Sequence, residues 1–230
     1  NDLEEANKSA SNFATSTELQ ELYIAYFSRP ADPAGLDYWV EKGISKNDFA
    51  ANMYLQPEFN NVNSGLSIET QVDQIYLNLF DREADLTGLT YWAENIRNGS
   101  LQLAEIAVHL IWAAQNNDGS SVDKAVLNNK TSAAIAYTSE ISSKPEYMLA
   151  YTAQSTSPWI TGNNLTEAKN YLSGINLYNS YTITGIKNSI AKFNMSSSLN
   201  SLKLSNDPGQ SKIDNITGLS VDNLSNNFLK

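Results

Sequence analysis

Apolar side chains recur every three or four residues along most of this chain, a spacing typical of one buried face of an α-helix. The first such stripe consists of Leu19, Leu22, Tyr23, Tyr26 and Phe27. It stops before Pro30, because proline has no backbone N–H and cannot continue a helix. Comparable stripes run through residues 70–114 and 120–194. The pattern therefore predicts an all-α fold over most of the chain.

One segment of the chain occurs twice. Residues 27–39 follow the pattern Phe-x-Arg-x-x-Asp-x-x-Gly-Leu-x-Tyr-Trp, and residues 80–92 follow it again 53 positions later. Repetition at a fixed period of this size indicates a repeated supersecondary unit. We predict two tandem three-helix units, at about residues 17–59 and 70–114. Such small helical units form binding or assembly surfaces more often than a catalytic pocket.

Capping residues indicate where the helices of each unit begin and end. Thr17 and Gln20 have the spacing of a capping box at the start of the first helix. Ser45 is the expected N-cap of the third helix, and Ser100 is its counterpart in the second unit. Pro57 is expected to close the first unit.

An acid and an arginine stand at the joint between the first two helices of each unit. An Asp at the N-cap position of a helix accepts a hydrogen bond from a backbone N–H about three residues later. The arginines, three residues before the acids, are predicted to pair with them and lock the joint. The tryptophans recur in the phase of the buried face, so both are predicted to lie in the core. The predicted joint residues are Asp32, Gly35, Trp39 and Arg29, and Asp85, Gly88, Trp92 and Arg82.

The two joint acids have a second interpretation, as calcium ligands. A calcium loop supplies several oxygen ligands at short spacing, whereas each joint offers a single acid. The spacing favours the N-cap interpretation for Asp32 and Asp85. It leaves open whether the chain binds a metal ion.

The flanks of the repeats differ in character. Residues 1–16 are polar and predict a flexible N-terminal arm, and residues 120–194 predict additional helices. Capping-box patterns at 143–146 and 164–167 support two of these helices. The segment 178–193 fits either a strand or a helix, and its apolar spacing favours a helix. Residues 195–230 are interrupted by Ser, Asn, Asp, Pro and Gly and predict a linker or the start of a β region.

Composition excludes several classes of partner. The 230 residues carry a formal net charge of −10, which repels a phosphate backbone and makes a nucleic-acid partner unexpected. No apolar run reaches the 18 or so residues of a membrane span, so membrane insertion is not expected either. The chain contains 28 Asn, 27 Ser and no Cys. We interpret this composition as that of an exported protein, and the chain as a piece of a longer one.

Catalytic motifs are not apparent in the sequence. His109 is the single histidine, and no nucleophile-elbow or zinc-ligand spacing accompanies it. We therefore expect a protein that is not an enzyme. A glycan hydrolase is the weaker alternative, supported only by the supply of acids and aromatic residues.

Aromatic residues outside the repeat are the candidates for sugar binding. Sugars stack their apolar faces on aromatic rings while polar side chains bind their hydroxyl groups. The candidates are Trp112, Trp159, Tyr147, Tyr151, Tyr178 and Tyr181.

The paired motif resembles a helical repeat family of unknown function that occurs in bacterial surface-layer proteins and in adhesins exported by the type I pathway. The resemblance covers roughly residues 18–138. It implies an all-helical, N-terminal part of a secreted protein at the bacterial cell surface. In surface-layer members this part anchors the lattice to the cell by binding the O-antigen of lipopolysaccharide.

The resemblance also implies further partners and ions. Neighbouring copies of the chain are expected partners in a surface lattice. No cofactor is expected in this segment, and calcium is the candidate ion, with the calcium-binding glycine-rich repeats expected beyond Lys230. The alternative function is a protein–protein assembly module that does not recognise a glycan.

Overall fold

The computed structural model describes residues 2–10, 12–153 and 161–195. Within these ranges the chain forms α-helices and short 3₁₀ turns and no β-strand, which confirms the all-α prediction. Of the predicted linker or β region at 195–230, residues 196–230 lie outside the described residues. The helices are α1 (Asp2–Ala10), α2 (Ser16–Phe27), α3 (Pro33–Lys42), α4 (Lys46–Leu55), α5 (Pro57–Asn63), α6 (Ile68–Phe80), α7 (Leu86–Arg97), α8 (Ile106–Asn116), α9 (Ser121–Ser142), α10 (Pro145–Ala150), α11 (Asn163–Ser173) and α12 (Ile183–Ile190).

The first helix of each repeat ends in the same backbone conformation. Ser28 after α2 and Asp81 after α6 have φ angles of 53° and 59°. These two equivalent positions are the only described non-glycine residues in the left-handed region, which few L-residues adopt. This conformation redirects the chain, so that the next helix starts only a few residues later.

The second helix of each repeat begins at the predicted acid. The Asp32 carboxylate accepts a hydrogen bond of 2.9 Å from the Gly35 N–H, and the Asp85 carboxylate accepts one of 2.8 Å from the Gly88 N–H. Both acids are thus N-caps in the structure, as the i, i+3 spacing predicts.

Both repeat tryptophans are buried at equivalent places, with exposed fractions of 6% for Trp39 and 7% for Trp92. The Trp39 ring packs edge-on against Phe49. The Trp92 indole N–H donates a hydrogen bond of 3.0 Å to the Tyr76 hydroxyl. Each indole also meets the ring of the preceding tyrosine edge-on, Tyr38 in the first unit and Tyr91 in the second, with 4.9 Å between centroids in both. The indoles therefore serve as core residues.

The two joint arginines pair mainly with acids other than those predicted. Arg29 is 2% exposed and makes a bidentate pair with Glu58 of α5, while its contact with Asp32 is longer, at 3.4 Å. Arg82 makes a bidentate pair with Asp123 of α9 rather than with Asp85. A guanidinium binds a carboxylate best with both of its edge N–H groups, and only the acids contributed by other helices reach that geometry.

The loop before each N-cap acid donates a backbone hydrogen bond to a side chain of the preceding helix. The Ala31 N–H donates to the Gln20 side chain and the Ala84 N–H donates to the Asp73 carboxylate, both at 3.0 Å. These acceptors occupy equivalent repeat positions. Gln20 therefore does not take part in the predicted capping box, and α2 is instead capped by Thr15 together with Glu18.

Several boundaries differ from the sequence prediction. The predicted N-terminal arm contains α1, because Leu3 and Ala6 lie on one face of a helix that packs on α8. Pro57 begins α5 rather than closing the unit, since proline is favoured in the first turn of a helix. A 3₁₀ turn at Leu103–Glu105 precedes α8, so Ser100 is not its cap.

The additional helices also begin differently from the prediction. α10 starts after Lys144 and has no side-chain cap, and α11 starts after Gly162. The ambiguous segment is helical over α12, where the Thr182 hydroxyl accepts a hydrogen bond of 3.0 Å from the Gly185 N–H. This cap repeats the geometry of the two Asp–Gly joints with a hydroxyl in place of a carboxylate.

Helix α9 lies at the centre of the described fold. It packs against α2, α6 and α8 of the repeats and against α10 and α12 of the following helices. Two apolar clusters result, one filled by the repeats and one around Tyr137 and Tyr151. This arrangement leaves a cleft with both apolar and polar lining residues at the edge of the first cluster, where α1, α2, α4 and α8 meet.

Candidate binding cleft

Tyr151, one of the predicted sugar-binding residues, is a core residue. It is fully buried, its hydroxyl donates to the Pro30 carbonyl at 2.8 Å, and its ring stacks on Phe193. The Arg29 guanidinium also lies 5.8 Å from the centre of the ring. The Tyr151 hydroxyl shares the Pro30 carbonyl with the Arg29 guanidinium, which donates to it at 3.1 Å. Full burial leaves no face of the ring for a sugar.

Three other candidates lie apart from the cleft. Tyr147 accepts a hydrogen bond from Lys144 at 3.0 Å, and Tyr181 is half-buried against both apolar clusters. Tyr178 is 93% exposed. Trp159 lies outside the described residues. Of the described candidates, Tyr147, Tyr151 and Tyr181 thus lie in or against the second apolar cluster, whereas Trp112 lines the cleft.

Trp112 is the predicted aromatic residue that lines a cavity. This cleft has a volume of about 250 Å³ and lies where α1, α2, α4 and α8 meet. Its lining combines the partly exposed indole with acids, amides, hydroxyls and one lysine. The residues are Ala6, Ser9, Thr15, Thr17, Glu18, Glu21, Leu22, Lys46, Val108, Ile111, Trp112, Gln115 and Asn116.

One side of the cleft is held by an ion pair between α2 and α4. Lys46 Nζ lies 2.7 Å from Glu18 Oε1 and donates to the Ser9 hydroxyl at 3.0 Å. Burial raises the pKa of Glu18, but the hydrogen bonds from Lys46 and Thr15 outweigh that effect and hold it below its ordinary value. Glu18 therefore stays ionised at neutral pH, and most of the charge of Lys46 is neutralised by it.

Glu21, one turn further along α2, has a different environment. It is 6% exposed, and its closest polar contact is the Gln115 amide, which donates to Oε1 at 3.5 Å. Burial, and next the negative charge of Glu18, raise the pKa of Glu21 to about 7. This carboxyl therefore exchanges its proton near neutral pH, whereas its neighbour Glu18 does not.

The sequence carries one signal for this site, the position of Glu21 within an apolar run. Residues 19–27 are apolar apart from Gln20 and Glu21, a run that predicts a helix enclosed on every side, and all of them are buried in the structure. A buried acid normally has a charged or hydrogen-bonding partner, and Glu21 is the one acid in that stretch. A glutamate within an otherwise buried segment thus indicated a special environment. Lys46 and Gln115, which lie near Glu21 in the cleft, come from distant segments of the chain, and no sequence pattern linked them to it.

The structure also bears on metals and membranes. Within the described ranges, no group of three or more His, Cys, Asp or Glu side chains is arranged to hold a metal ion. None of the described helices is both long and apolar enough to cross a membrane.

The lone histidine lies in the core rather than in the cleft. His109 is 1% exposed, and burial lowers its pKa to about 4. The nearest aromatic ring is that of Trp92, at 6.3 Å between centroids. The residue is thus a neutral core side chain in the second repeat.

The fold and the cleft define an all-α domain built on a tandem helical repeat, with a small cavity beside the first unit. Residues 50–118 match the family model described as a domain of unknown function (DUF4214). The match runs from within α4 to the end of α8 and includes the whole second joint and Trp112. It covers less than a third of the chain. No curated protein and no solved structure matches the chain.

Proposed function

We propose that this chain is a non-catalytic module that binds a bacterial surface polysaccharide, the O-antigen of lipopolysaccharide, and thereby anchors a secreted surface-layer protein to the cell. The observation that carries the proposal is the lining of the cleft, where the Trp112 indole stands beside acids, amides and hydroxyls. An aromatic face with a few convergent polar groups is typical of sites that bind sugars.

The size of the cleft supports a particular mode of binding. Its volume of about 250 Å³ lies just below the roughly 300 Å³ at which sites for drug-sized ligands begin. A cavity of this size suits one sugar unit of a chain. A long polysaccharide would then place one sugar unit in each cleft. Neighbouring copies of the module that bind the same polysaccharide would raise the overall avidity.

Calorimetric titration with purified O-polysaccharide tests the proposal. Wild-type protein is expected to bind, and Trp112→Ala is expected to lose most of the affinity because the stacking surface is removed. Tyr178→Ala is the control, since Tyr178 is a solvent-exposed aromatic residue that does not line the cleft. Absence of binding with and without calcium, or equal binding by both variants, would contradict the proposal.

A second candidate function is protein–protein assembly without glycan recognition. Its support is a set of exposed apolar side chains that the described part of the chain leaves uncovered, above all Leu55, Leu86 and Phe13, with exposed fractions of 70%, 81% and 78%. Light scattering across a series of calcium concentrations tests it. Ordered oligomers that form without glycan would favour assembly over anchoring.

A further inference from the structure

The cleft contains a buried acid whose charge is not balanced. Lys46 is the lysine that lines the cavity, and it is already paired with Glu18. In the part of the chain that the structure describes, no ion pair joins Glu21 to a lysine or arginine. A buried ionised carboxylate without a partner is costly, and a cation brought by a ligand would offset that cost.

We propose that the sugar unit bound in the cleft carries a free, positively charged amino group, and that Glu21 is the residue that binds it. This inference rests on the proposed function. The apolar face of the sugar ring stacks on Trp112, and the ammonium group lies beside the Glu21 carboxylate. The indole adds to the attraction, because an aromatic face also favours a nearby cation.

The surroundings of Glu21 discriminate between classes of sugar. The charged groups that act on it are Glu18 on the same helix and Lys46 on α4, and Gln115 on α8 adds one long hydrogen bond. Together these two acids and one lysine leave the cleft with a negative charge when Glu21 is ionised. An acidic sugar would be repelled, and an uncharged or N-acetylated sugar would leave the carboxylate unpaired.

Two defined trisaccharides test the inference by calorimetry at pH 7, where about half of Glu21 is already ionised and the cost of removing its proton is small. One is the fully deacetylated trimer of glucosamine, and the other is its N-acetylated counterpart. Wild-type protein is expected to bind the deacetylated trimer about tenfold more tightly, which corresponds to one charge-assisted hydrogen bond. Glu21→Gln, which resembles the protonated acid in shape, is expected to lose this preference while still folding.

A general attraction between a cationic sugar and an acidic protein is excluded by a control. Glu41→Gln removes one negative charge from the exposed side of α3, away from the cleft lining, and is expected to keep the full preference. A preference that survives in Glu21→Gln, or equal binding of both trimers by the wild type, would overturn the inference.

Proton release gives an independent readout. An ammonium group next to Glu21 favours its ionised form, so binding at pH 6 is expected to release close to one proton, because the pKa of Glu21 in the free cleft is about 7. Titrations in two buffers with different ionisation enthalpies measure this number. Glu21→Gln is expected to release none, and binding by the wild type without proton release would contradict the role of Glu21.

The failure of this inference can be told apart from the failure of the proposed function. If O-polysaccharide binds wild type and Glu21→Gln equally well, and the deacetylated trimer is not preferred, only the amino-sugar inference fails. If neither trimer nor the polysaccharide binds, the glycan-binding function fails as well.

Discussion

The Asn78 side chain donates a hydrogen bond of 2.7 Å to the carbonyl of Ala25, the residue at the same position of the preceding repeat. This carbonyl lies in the last turn of α2, where backbone acceptors have no partner within their own helix. The equivalent carbonyl in the second repeat, that of Asn78 itself, accepts a hydrogen bond of 2.8 Å from Lys130 of α9. The second repeat thus supplies the hydrogen-bond donor for the end of α2 in the first repeat, and the central helix α9 supplies the donor for the end of α6 in the second.

Asn78→Ala is expected to destabilise the protein by about 1–3 kcal/mol, because it leaves the Ala25 carbonyl without a partner in a partly buried place. Urea unfolding measures the change. Asn95→Ala is the matched control, since the side chain of this half-buried Asn donates to the Tyr91 carbonyl of its own helix and not to another repeat. Similar losses in both variants would show that the contact between the repeats is unimportant for stability.

The parts of the fold that the sequence predicted are those set by neighbouring residues. The Asp32–Gly35 and Asp85–Gly88 caps follow from a three-residue spacing, and the burial of Trp39 and Trp92 follows from the phase of the repeat. The predicted Arg29–Asp32 pair is present but secondary, and the main partners, Glu58 for Arg29 and Asp123 for Arg82, were missed because they come from other helices. Spacing along the chain favours the nearest acid and carries no information on which distant acid the packing brings closer.

The candidate site was predictable only in part, for the same reason. Trp112 stood out as an aromatic residue outside the repeat, and it lines the cleft. Tyr151 had the same sequence signal but fills the core between Pro30 and Phe193. Exposure depends on contacts between distant segments, so the aromatic pattern alone could not separate these two residues.

The joint arginines should differ greatly in their contribution to stability. Arg29→Ala leaves Glu58 buried, with Lys169 at 3.3 Å as its remaining cationic partner, and is expected to cost about 3–5 kcal/mol. Arg82→Ala removes an ion pair that is 40% exposed on the arginine side and is expected to cost at most about 1 kcal/mol. Chemical unfolding of both variants compares them directly. Equal losses would mean that the burial of the Arg29–Glu58 pair has no energetic consequence.

The joint glycines should differ in a similar way. A Cβ atom at position 35 would collide with the Asp32 carboxylate and lie 2.8 Å from the Tyr23 hydroxyl, whereas one at position 88 would lie 3.3 Å from the Tyr76 hydroxyl. Gly35→Ala is therefore expected to cost about 1–3 kcal/mol through overpacking. Gly88→Ala is expected to change stability by less than about 1 kcal/mol, because alanine also favours the helix. Thermal unfolding of the two variants measures both effects, and a larger loss at position 88 would contradict the geometry of the first joint.

Glu21 should make stability depend on pH in a direction opposite to that of most acids. Its pKa rises from the ordinary 4.5 to about 7 on folding, so the folded state holds the proton more tightly than the unfolded state. The stability contributed by the protonated form is complete below pH 4.5 and is lost as pH rises through about 7. Ionised Glu21 thus costs the folded protein up to about 3 kcal/mol above that range.

Glu21→Gln removes this cost without changing the shape of the side chain. The variant is therefore expected to be more stable than the wild type at pH 8, and the difference should close as pH falls toward 4. Urea unfolding at a series of pH values measures it, with Glu41→Gln as the control for an exposed glutamate on α3. A wild type that is as stable as Glu21→Gln at pH 8 would mean that water or Lys46 already compensates the charge, and the cleft would then have no need of a cationic ligand.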